Sequence, residues 1–123
     1  MKPSEIIKLL ADSLINELKR REATDKQIIR TINGLKDVLR DRRTLREDIK
    51  HIVCNMMLTN RESIPMKRNN RIQFEMLRGF NLKFDLETEL EILNFVDGKE
   101  FNQGGFTSCF TRLLEEKLKE IKK

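Results

Sequence analysis

The sequence predicts a mainly α, single-domain helical bundle of about six helices, and three observations lead there. Apolar residues recur every three or four positions over most of the chain, capping signatures stand where new stripes begin, and the first stripes are joined by short links. The length of 123 residues falls in the usual range for one domain with one core. Residues 1–123 are therefore read as a single domain, with an N-terminal helical subassembly over 4–58, a loop over 59–70 and a C-terminal helical part over 71–123.

From Ser4 to Arg21 the stripe Ile6, Ile7, Leu10, Leu14 and Leu18 defines a first amphipathic helix, with Lys8, Asp12 and Lys19 turned away. Thr24 and Gln27 have the spacing of a capping box and open a second stripe, Ile28, Ile32, Leu35 and Leu39, which Gly34 weakens without ending. A second capping box, Thr44 to Glu47, opens the third stripe of Leu45, Ile49, Ile52 and Met56. Links this short make neighbours antiparallel, so the three helices are expected to pack on one another.

Residues 59–70 carry the only internal proline and show no periodicity, which predicts a loop. Beyond it two patterns compete. Ile72, Phe74 and Met76, followed by Leu82, Phe84, Leu86, Leu90 and Ile92, alternate as in an antiparallel hairpin around 71–92. The same stretch also reads as a helix through Ile72, Met76, Leu77 and Phe80, then one that Asp85 caps, with the stripe Leu86, Leu90 and Leu93 and its end at Gly98. The abundance of Leu and Glu, the acidic first turn and the scarcity of β-branched residues decide for helices. An α+β fold of three helices, the small hairpin and a C-terminal helix is the alternative. A link at Asn102 to Gly105 precedes the last stripe, Phe106, Phe110, Leu113, Leu114, Leu118 and Ile121, supported by a local Glu115–Lys119 pair.

Composition narrows the function. With 38% hydrophobic and 37% charged residues the chain is too apolar for disorder, and no apolar run is long enough to cross a bilayer. The amino terminus has no secretory-signal pattern, so a cytoplasmic, intracellular protein is expected, a class that includes nuclear proteins. Cys54 and Cys109 stand among apolar residues and read as reduced, partly buried thiols. His51 and Cys54, three apart, together with Cys109 have the residue types of a metal site or a nucleophile pair. The paired ligand motifs and the orienting groups are missing, so core packing is expected, with no metal and no cofactor. Asp85, Glu87, Glu89 and Glu91 read as a solvated face rather than converging carboxylates, and Gly104-Gly105 lacks the lysine and hydroxyl of a phosphate loop.

The net charge is +5, laid out as a dipole: residues 61–83 hold six basic and two acidic groups, and residues 84–101 hold one basic and six acidic. Two basic groups stand out. Arg42, Arg43 and Arg46 lie at the junction of the second and third helices, flanked by Lys36, Arg40 and Lys50; Lys67, Arg68 and Arg71 form a cluster with no acid from Ser63 to Phe74. The sequence therefore predicts a small non-enzymatic accessory or regulatory protein that contacts DNA or RNA through Arg42, Arg43, Arg46, Lys67, Arg68 and Arg71. The alternative is a protein-binding adaptor or inhibitor using amphipathic helix faces, with a protein partner or a homodimer through the C-terminal helix.

Overall fold

The computed structural model describes residues 1–41, 44–57, 80 and 82–122. Five helices form among them: α1 (Pro3–Arg20), α2 (Asp25–Arg40), α3 (Arg46–Met56), α4 (Leu86–Asp97) and α5 (Gln103–Ile121). The mainly helical prediction holds. The β feature among the described residues is a single parallel bridge between Met57 and Leu82, tied by the Leu82 N–H donating to the Met56 carbonyl at 2.7 Å. Residues 86–92 are helical, which overturns that half of the hairpin alternative. Residues 71–79, where the sixth helix was expected, and the loop at 59–70 lie outside the described residues.

Pro3 starts α1, where its missing N–H costs no hydrogen bond. The expected stripe is buried, joined by Ala11 and Ile15. The helix ends where Glu22 takes a positive φ of 59°. Its N–H donates to the Lys19 carbonyl and that of Ala23 to the Leu18 carbonyl, the paired bonds of a Schellman ending. A non-glycine residue in this left-handed region pays a steric cost. Glu22→Gly is therefore expected to raise stability by about 0.5–1 kcal/mol, read as a higher urea midpoint; an unchanged or lower midpoint would contradict it.

The capping box of α2 is present in both halves: Gln27 N–H donates to Thr24 Oγ1 at 3.2 Å, and Thr24 N–H to Gln27 Oε1 at 2.9 Å. The helix runs through Gly34 and buries Ile28, Ile32, Leu35, Val38 and Leu39. The expected box at α3 is not the one formed. Leu45 occupies the cap position, Asp48 rather than Glu47 reaches back to accept the Leu45 N–H at 3.2 Å, and the Leu45 side chain is 51% exposed. The buried Thr44 hydroxyl instead donates to the Val38 carbonyl at the end of α2, at 2.7 Å, while its own carbonyl accepts from the Gln103 side chain at the start of α5. Thr44 thus ties three helix ends together.

Asp85 caps α4 as predicted, accepting from Thr88 N–H at 2.9 Å. Gly98 follows the helix, and a Cβ there would stand 2.7 Å from the Asn94 carbonyl oxygen, so only glycine fits. Asn102, expected within a flexible link, is the cap of α5: its side chain accepts from Gly105 N–H at 3.1 Å.

One cluster of buried side chains draws on all five helices. Its most extensive helix contacts are those of α5 with α1 and α2, and α3 packs on α4. The C-terminal helix thus supplies the main partner surface for α1 and α2. Phe106, Phe110, Leu114 and Leu118 of α5 are buried in this core. An aromatic series links α4 to α5: Phe95 meets Phe101 edge-on at 5.6 Å, Phe101 meets Phe106 at 5.7 Å, and Phe106 stacks on Phe110 at 5.3 Å.

Candidate functional site

Of the six residues predicted to contact nucleic acid, the structure describes Arg46; Arg42, Arg43, Lys67, Arg68 and Arg71 lie outside the described residues. Arg46 is committed to the fold. Its Nη2 donates to the Gly98 carbonyl at 2.7 Å and to the Val96 carbonyl at 3.4 Å, and its guanidinium carbon sits 5.1 Å from the Phe101 ring centroid. The carbonyl end of a helix carries partial negative charge, so a cation from α3 is drawn to the end of α4. Lys50, one turn further along α3, pairs with Asp97 at 2.5 Å, and that hydrogen bond raises the Lys50 pKa.

The flanking cations of α2 are also engaged. Lys36 Nζ lies 3.1 Å and Arg40 Nη2 2.5 Å from Glu115 Oε1, and the hydrogen bond from Lys36 foremost, with that from Arg40, lowers the Glu115 pKa. Glu115 therefore joins α5 to α2, in addition to any local contact with Lys119. Lys117 reaches Asp12 of α1 at 2.9 Å. Among the described residues of the junction, Lys36, Arg40, Arg46 and Lys50 thus meet acids or carbonyls of neighbouring helices.

A groove of about 600 Å³ lies between the last turns of α1 and Leu82-Lys83. Of its three cations, Arg20 and Arg21 are held by Glu17, at 2.6 Å and 3.0 Å, and Lys83 is exposed. The Arg20 hydrogen bond, aided by Arg21 and opposed by desolvation, lowers Glu17 from 4.5 to about 2. A carboxylate with a depressed folded-state pKa contributes stability that is fully present above its unfolded value and is lost as pH falls through the folded one. Wild-type stability should thus fall from pH 4.5 towards about pH 2 partly through Glu17. Urea midpoints across that range should fall less steeply in Glu17→Gln, and equal slopes would contradict the assignment.

The thiols behave as predicted from their apolar surroundings: Cys54 is buried and Cys109 half-buried, neither in a disulfide. Among the described residues no three His, Cys, Asp or Glu side chains converge as metal ligands, and no helix is long and apolar enough to cross a membrane.

The feature that sequence reasoning missed is the orientation of α4. Its core face is Ile92, Phe95 and Val96, whereas most of the stripe expected from the sequence points away: Leu86 is 73% and Leu90 50% exposed, and Leu93 alone packs, half-buried, against the core. At about 100° per residue, Leu86 and Leu90 form a short ridge on the outer side, with Glu87 on one flank and Glu89 on the other, while Leu93 packs partly against the core. Helix α4 is apolar on two faces and the bundle covers one of them. The signal was in the sequence, since Ile92, Phe95 and Val96 also recur at helical spacing.

No protein-family model matches the chain, and no curated protein or solved structure matches it either.

Proposed function

We propose that the protein is a non-enzymatic adaptor or inhibitor that binds another protein through the outer face of α4. The observation that carries this reading is the exposed Leu86–Leu90 ridge on a helix whose opposite face is already buried. Full burial of a leucine is worth about 1.5–3 kcal/mol, of which Leu86 forgoes most and Leu90 about half, and covering the two together favours a docked partner.

The competing reading is an accessory or regulatory protein that contacts DNA or RNA through Arg42, Arg43, Arg46, Lys67, Arg68 and Arg71. The intramolecular engagement of Arg46, Lys36, Arg40 and Lys50 weighs against it at the junction. Purification at low and high salt separates the two. A protein partner should appear as a second polypeptide with wild type and disappear with Leu86→Gln/Leu90→Gln. Bound nucleic acid that raises the 260 nm absorbance and leaves as salt rises, with no second polypeptide, would overturn the adaptor reading in favour of the other.

A further inference from the structure

We propose that the outer face of α4 receives a cationic amphipathic helix of another protein, an inference about partner chemistry that rests on the docking role proposed above. Leu86 and Leu90 stand one turn apart, so the ridge follows the row along which a second helix packs its own side chains. One turn beyond Leu90, Asn94 lines a groove of about 450 Å³ with Pro3 and Phe95, rimmed by Glu91 and Glu100 and by the cationic groups of Met1 and Lys99. Ridge and groove together offer an incoming helix both a track and a recess for a large apolar side chain.

Charge selects the partner. The segment 85–97 carries five acids, Asp85, Glu87, Glu89, Glu91 and Asp97, and no base. Glu91 is paired with the amino group of Met1 and Asp97 with Lys50, whereas among the described residues no ion pair engages Glu87 or Glu89. These two carboxylates flank the leucine ridge, where lysines or arginines on either side of a partner's apolar stripe would meet them. A second copy using the same face would set these acids against their counterparts, which disfavours self-pairing. A cationic helix gains both apolar burial and charge complementarity, and its affinity falls as salt screens the rim.

The test titrates the full-length chain with fluorescent synthetic peptides of about 18 residues, long enough for several helical turns. Four are compared: a Leu/Lys amphipathic peptide, its scrambled isomer, and Leu/Gln and Leu/Glu peptides with the same apolar stripe. The Leu/Lys peptide should bind best, losing roughly tenfold or more in affinity with Leu86→Gln/Leu90→Gln and several-fold with Glu87→Gln/Glu89→Gln. Unfolding midpoints of both variants should match wild type. Equal affinity for the Leu/Gln peptide, or no loss with Glu87→Gln/Glu89→Gln, overturns the cationic partner while leaving the docking face intact. If no peptide distinguishes Leu86→Gln/Leu90→Gln from wild type, both proposals fall. A dimer in sedimentation that the leucine substitutions dissolve, or a photoreactive leucine analogue at position 90 that cross-links only within its own chain, identifies a different occupant and overturns the inference.

Discussion

Replacing Phe110 by Ala is expected to lower the unfolding free energy by about 3–5 kcal/mol, the largest loss among single substitutions in α5. Phe110 is 1% exposed, stacks on Phe106 and lies on the face of α5 that packs against α1 and α2. Truncation removes the apolar transfer energy and leaves a cavity that helices pinned by Glu115 and Lys117 close only in part. The half-buried Leu113 on the same helix should cost far less when truncated. Urea unfolding of the two variants checks the contrast, and equal losses would contradict the assigned face of α5.

Arg46→Ala should cost about 2 kcal/mol of stability, because it removes charge-assisted hydrogen bonds to two carbonyls and the contact over the Phe101 ring. Arg46→Lys should recover only part of it, since a compact ammonium lacks the planar guanidinium that lies over the Phe101 ring. This differs sharply from what a phosphate-contacting arginine would show, namely weakened nucleic-acid binding with stability nearly unchanged. A midpoint unaffected by Arg46→Ala would return that residue to the nucleic-acid reading.

The parts of the fold that were legible in the sequence are those governed by local chemistry. Thr24 with Gln27 and Asp85 with Thr88 are caps formed within one turn, so residue type and spacing suffice to find them. Thr44 shows where this fails. Its spacing to Glu47 fits a box equally well, but its hydroxyl finds the Val38 carbonyl and its carbonyl the distant Gln103, leaving Asp48 to serve the end of α3. The pairing of the cations at the basic junction was illegible for a related reason. Lys36 and Arg40 look solvent-exposed among their sequence neighbours, and their acid, Glu115, is reached only when α5 packs on α2. Helix α4 was found but turned the wrong way, because both of its faces carry apolar residues at helical spacing and periodicity alone does not rank them. The contact with α3 and the ring of Phe101 select the Ile92–Phe95–Val96 face.

The orientation of α4 underlies both the docking surface and its proposed partner, and the urea midpoint of Leu86→Gln/Leu90→Gln set beside that of Ile92→Ala tests it most directly. With the leucines outside and Ile92 in the core, the double variant should stay within about 0.5 kcal/mol of wild type while Ile92→Ala loses about 2–5 kcal/mol. A loss of several kcal/mol in the leucine variant, with Ile92→Ala close to wild type, would contradict it.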